Sequence, residues 1–118
     1  MRKVRLLSAS DDLPLLATRN EILTGAGYDV ISACTDEVLS LAGQADGVLL
    51  GYSIPLEKRA SLAVQLRHRF PSTPIVVIHH TNEEAGAEFA TASVNCLDGP
   101  QALLDLLEQT FPIRQRVG

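Results

Sequence analysis

The sequence predicts an α/β domain in which a five-stranded parallel sheet carries helices on both faces. Three observations point there. Five short apolar runs, near residues 3–9, 28–33, 46–51, 74–79 and 94–97, read as strands. Between them lie segments whose apolar residues recur every three or four positions, the period of a helix. The joints are short, and such alternation implies right-handed crossovers and a doubly wound parallel sheet.

Each element has its own signal. Val4–Ala9 is too short for helical periodicity and reads as the first strand. Asp11 and Asp12 then offer capping oxygens to a helix whose face is Leu15, Leu16, Arg19, Ile22, Leu23 and Ala26, closed by Gly25 and Gly27. Tyr28–Ala33 is the second strand, and Thr35 is expected to cap a short helix through Val38, Leu39 and Leu41. Asp46–Gly51 is continuously apolar at Val48, Leu49 and Leu50, as a strand covered on both faces should be.

Pro55 opens a helix with Leu62, Leu66 and Phe70 on one stripe, and Pro71 and Pro74 stop it. Ile75–Ile78 is β-branched throughout, the strongest strand signal in the chain. A weakly patterned helix over 83–92 follows, then a fifth strand at Val94–Leu97. Pro100 starts a last helix with Leu103, Leu104, Leu107 and Phe111 as its buried stripe. The 118 residues read as one domain without linker or repeat.

Composition narrows the function. Hydrophobic residues are 46%, charged residues 20% and the net charge is −4, which recommends neither nucleic acid nor an anionic membrane as partner. No apolar run reaches the length of a membrane span, so a cytoplasmic location is expected. Cys34 and Cys96 form no CxxC pair and suggest neither a redox dithiol nor a zinc site. The charge is uneven along the chain. Residues 1–69 balance eight Lys/Arg with eight acids, whereas residues 70–118 hold two Arg and six acids.

In open parallel sheets the site lies at the carboxyl ends of the strands. The segments there are Ser10–Asp12, Cys34–Asp36, Gly51–Pro55, His79–Thr81 and Asp98–Pro100. With them on the page, nearly the whole chain resembles a response-regulator receiver domain of the CheY-like superfamily. The matching pieces are Asp11-Asp12, Leu23-x3-Gly27-Tyr28-Asp29-Val30, Asp46-x-Val48-Leu49-Leu50 and Ile54-Pro55. Leu66-Arg67, Phe70-Pro71, Pro74-Ile75-Val76-Val77 and Pro100 complete them. The resemblance implies a (βα)5 flavodoxin-like sandwich with strand order 2-1-3-4-5.

The likeness breaks where the family's chemistry lies. The resemblance places the phosphoacceptor aspartate at Gly51, the Thr/Ser of strand four at His79, and the lysine after strand five at Gly99. The switch aromatic of strand five falls on Cys96, and the Mg²⁺-holding acids fall on Ser10-Asp11 or Asp11-Asp12. An acyl phosphate needs a carboxylate nucleophile, and glycine has no side chain. The expectation is a degenerate receiver, or pseudo-receiver, that lacks the phosphoacceptor and has neither cofactor nor catalytic residues. Asp11 and Asp12 then cap a helix, with a weak residual cation site as the alternative.

Other candidates have plainer readings. His79 and His80 point to opposite faces of a strand and would not chelate one ion, although His79 could contact Asp11 where the phosphoryl group would lie. Gly51-Tyr52-Ser53-Ile54-Pro55 is a poor nucleophile elbow, since Pro55 replaces the second glycine. Lys58, Arg59, Arg67 and Arg69 read as a solvated helix face. Cys34 and Cys96, on opposite sheet edges in the receiver order, should not form a disulfide.

The functional expectation is a protein-interaction module in two-component phosphorelay signalling, with a small-ligand-binding domain using the altered strand-end pocket as the alternative. No DNA-binding or catalytic pattern follows Thr110, so output is expected through a partner or further domains. In receivers, the face made by the fourth helix, fifth strand and fifth helix carries output and dimerisation. Here it spans 83–111, with Glu83, Glu84, Glu88, Asp98, Asp105 and Glu108 and no Lys or Arg. A symmetric dimer on that face would set acid against acid, so it is not expected, and a partner basic at its contact surface is.

Overall fold

The computed structural model describes residues 3–80 and 90–111. Its five strands are β1 (Arg5–Ala9), β2 (Asp29–Ala33), β3 (Gly47–Leu50), β4 (Ile75–His79) and β5 (Ala92–Asn95). They form one parallel sheet in the order β2-β1-β3-β4-β5. The helices are α1 (Leu13–Gly25), the single turn α2 (Val38–Leu41), α3 (Leu56–Arg69) and α4 (Pro100–Thr110).

Alternation along the strands sorts side chains to the two faces. Leu7, Ala9, Val48, Leu50, Ile75 and Val77 share one core cluster with Val38 of α2 and Leu62, Ala63 and Leu66 of α3. Leu6, Leu49, Val76 and Ile78 form the other, with Leu23 of α1 and Leu103 and Leu107 of α4. All four residues of β3 are buried, which accounts for its unbroken apolar run.

Local chemistry sets the ends. The Asp12 carboxylate accepts from the Leu15 N–H at 3.1 Å and starts α1. Thr35 does not cap the next helix, because its hydroxyl is turned to Asp11. Cys34 takes the cap position of a 3₁₀ turn over Thr35–Glu37, and Glu37 Oε1 accepts from the Cys34 N–H at 3.1 Å.

The fifth strand lies two residues earlier than the sequence suggests. Thr91 starts the pairing, its hydroxyl accepting from the Ile75 N–H at 3.0 Å. Asn95 ends it, its side chain accepting from the Leu97 N–H at 2.9 Å and turning the chain into a 3₁₀ turn over Cys96–Asp98. Cys96 therefore follows β5 rather than lying within it. The helix expected over 83–92 falls largely outside the described residues, and Ala92 at its end belongs to β5.

A second correction concerns the basic helix. Arg59 is 1% exposed, not solvated, and its Nη1 donates to the Ile78 carbonyl at 3.3 Å. The buried stripe of α3 is Arg59, Leu62, Ala63 and Leu66, so the arginine stands at core spacing. Arg67 reaches the Pro71 carbonyl at 2.9 Å and Thr91 Oγ1 at 3.2 Å, tying the end of α3 to the entry of β5. Lys58 and Arg69 are exposed as expected.

Candidate functional site

The strand ends carry two polar groupings, one of them built on a residue of α1. Arg19 lies on the inward face of that helix, 7% exposed, and its Nη2 donates to the Ala9 carbonyl at 3.1 Å. The same carbonyl accepts the Gly51 N–H at 3.1 Å. A Cβ at position 51 would stand 2.7 Å from Arg19 Nη2 and 2.9 Å from that carbonyl. The guanidinium and a backbone oxygen thus occupy the space a side chain at 51 would enter.

Hydroxyls knit the neighbouring loops. Ser10 and Ser53 share a hydrogen bond between their Oγ atoms, joining the loop after β1 to the loop after β3. The Asp12 N–H donates to Ser10 Oγ at 3.1 Å and the Asp11 N–H to Ser53 Oγ at 3.2 Å. Asp11 turns toward β2, where Oδ1 accepts from both the Thr35 N–H (3.0 Å) and its hydroxyl. The His79–Asp11 contact imagined from the sequence is replaced by this Asp11–Thr35 link. His79 Nδ1 is buried with no hydrogen-bond partner, and the ring of His80 lies 5.4 Å from that of Tyr52.

Burial dominates the electrostatics. It pulls the Arg19 guanidinium down to about 10, with the nearby Tyr52 phenol opposing the fall, so the group remains cationic at neutral pH. Its Nη1 has no hydrogen-bond partner, and among the described residues no acid lines the adjoining cleft. That cleft, about 130 Å³, opens between α1 and α4 beside Gly51 and Tyr52.

Solved structures share this architecture. A protein of Chloroflexus aurantiacus described as a response regulator superposes with a TM-score of 0.80 at 22% identity, over 92% of this chain and 97% of its own. A CheY-like receiver domain protein from Methanospirillum hungatei does so with a TM-score of 0.76 at 19% identity, over 99% and 100%. The chemotaxis response regulator CheY4 of Vibrio cholerae gives 0.71 at 22% identity, over 92% and 98%. The fold is the response-regulator receiver fold. No protein-family model and no curated protein sequence matches the chain.

Within the receiver fold, the residues read from the sequence come together unevenly. Ser10, Asp11, Asp12 and Gly51 meet around β1 and β3, as described above. Gly99 sits at the start of α4 with φ +87°, a conformation that strains any lysine placed there. Cys96 and Gly99 line the cleft beside Arg19. Asp98, Asp105 and Glu108 are exposed on the turn before α4 and on α4 itself, while Glu83, Glu84 and Glu88 lie outside the described residues.

The Mg²⁺ that receivers imply does not suit these side chains. Asp11 Oδ1 is engaged by Thr35 and Asp12 Oδ1 by the helix cap. Ser10 and Ser53 are neutral and bonded to each other. Among the described residues, no three His, Cys, Asp or Glu side chains are placed to hold a metal ion. Cys34 and Cys96 are not joined in a disulfide and lie near the ends of the two opposite edge strands. Ser53 bonds to Ser10 and the Asp11 N–H, not to a histidine, which removes the elbow reading.

Two residues escaped the sequence reading. Arg19 was visible as one charged residue on an otherwise apolar helix face, a signal that it reaches inward. Thr35 carried no such signal, because its partner Asp11 is 24 positions away.

Proposed function

We propose that this chain is a receiver-like module that takes up no phosphoryl group and acts by binding another signalling protein in two-component phosphorelay signalling. One observation carries the reading: the Arg19 guanidinium stands where the side chain of a phosphoacceptor at position 51 would be. A glycine there offers no oxygen to phosphorus, and the acids nearby are spent on the cap and on Thr35. The module is not an enzyme in this reading, and it works in the cytoplasm. Among the described residues no helix is long and apolar enough to cross a membrane.

The acidic side supports a basic partner. Asp98 and Asp105 are exposed, and no Lys or Arg occurs between Arg69 and Arg114. A second copy would bring the same acids to a symmetric contact, so the usual receiver dimer is disfavoured. The test is a titration of the protein with beryllofluoride and Mg²⁺, followed by amide NMR, beside incubation with acetyl phosphate. Unchanged spectra and unchanged mass are expected. Saturable shifts around Ser10, Asp11 and Gly51, or a phosphorylated product, would overturn the reading.

A further inference from the structure

The space beside position 51 is filled by Arg19, but the cleft next to it is open, and its chemistry is specific. Leu15 and Ile22 of α1, Ile78 and Val94 of the sheet, and Leu103 of α4 make its walls apolar. Among its described lining residues is one buried cation. Arg19 is 93% buried; Nη2 is satisfied by Ala9 while Nη1 has no partner. A buried charged donor left without an acceptor is costly, so an anion that supplies one gains more than it would at the surface.

We infer that this cleft between α1 and α4 binds a small monocarboxylate with an apolar body, its carboxylate on Arg19 Nη1 and its hydrocarbon against Leu15, Ile22 and Leu103. Charge and size select this class. A single cation balances a single negative charge, and among the described residues no acid lines the cleft to repel it. A phosphate dianion would be under-neutralised and would set its polar oxygens against the apolar walls. The volume, about 130 Å³, is close to the roughly 150 Å³ of an apolar cavity that accepts benzene. Tyr52, also in the lining, brings a second polar group to the cleft. The cleft serves this role whether or not position 51 ever meets a phosphoryl group.

Benzoate is the probe, with benzamide as its neutral match. In amide NMR titrations of the whole chain, benzoate is expected to shift signals of Gly51, Tyr52, Val94 and Cys96 saturably. Benzamide should bind about tenfold or more weakly, the ratio of a charge-assisted to a neutral hydrogen bond. Arg19→Met keeps the volume and removes the charge, and should reduce benzoate binding to the benzamide level. Thr18→Phe, at an exposed position that also lines the cleft, should weaken both probes by obstructing the mouth while leaving the core untouched. The comparison of probes and the Thr18 variant decide the matter even if the Arg19 variant fails to fold. Equal binding of benzoate and benzamide, shifts confined to residues elsewhere, or no shifts would overturn the inference.

Discussion

Each face of the sheet buries an arginine near its carboxyl edge, and the two differ in what lies beside them. On the face covered by α2 and α3, Arg59 is 1% exposed and its Nη1 donates to the Ile78 carbonyl. Its stem lies on the same stripe as Leu62 and Leu66, so it acts as a core side chain with Nη1 turned to the backbone. On the face covered by α1 and α4, Arg19 also turns inward and donates to a backbone carbonyl, but it borders an open cleft. The closed face uses its arginine for packing. The open face leaves one donor of its arginine without an acceptor, buried beside a cleft.

Breaking that comparison starts with the two arginines themselves. Arg59→Ala should lower stability by about 2–5 kcal/mol in urea denaturation, since it removes a fully buried side chain and leaves a cavity. Arg19→Met, which exchanges a half-satisfied buried charge for an apolar side chain of similar length, should stay within about 1.5 kcal/mol of the parent. A similar large loss from both would show that the faces do not differ as described.

Gly51→Ala probes the contact between Arg19 and β3. Its Cβ would meet the guanidinium and the Ala9 carbonyl, so a loss of about 1–3 kcal/mol is expected. In an Arg19→Ala background that cost should shrink, because only the carbonyl contact remains, and a double-mutant cycle measures the coupling. Ser10→Ala is next in size. Losing the Ser10–Ser53 bond and the acceptor for the Asp12 N–H should cost about 1 kcal/mol by thermal or urea unfolding.

The smallest effect lies at the exposed edge by β2. The Cys34 thiol donates to Glu37 Oε1, which pushes the thiol above its ordinary range and holds the carboxyl below its own. The carboxylate's share of stability is therefore present above the ordinary Glu range and fades as pH falls through its lowered value. The thiol's share is present below the ordinary Cys range and fades as pH rises through its raised value. Both groups are exposed, so reactivity is the sensitive readout. Glu37→Ala should speed alkylation of Cys34 by iodoacetamide at mildly alkaline pH without changing the rate at Cys96.

Much of the fold was legible because its signals are local. β-branched residues at Ile75–Ile78, the apolar run at Val48–Leu50 and the prolines at 55, 71 and 100 act on their own neighbourhoods, and those elements appear where expected. β5 was misplaced because its ends depend on Thr91 and Asn95 hydrogen bonds rather than on hydrophobicity. Arg59 was misread for a related reason: charge alone suggested solvent, while its spacing to Leu62 and Leu66 already pointed inward.

By itself the sequence determined the alternation of strands and helices, their faces, and the glycine at position 51, since these follow from residue identity and short-range period. The strand order expected from the receiver likeness also holds. Only the tertiary structure decided what stands beside that glycine. Arg19 and Gly51 are 32 positions apart, and nothing local records that the guanidinium enters the space next to Cα, or that one of its donors is left without an acceptor. The same holds for Asp11 and Thr35 and for Ser10 and Ser53, pairs brought together by the parallel register of β1 with β2 and β3. Such contacts depend on how layers pack, and packing is a property of the whole chain rather than of any segment in it.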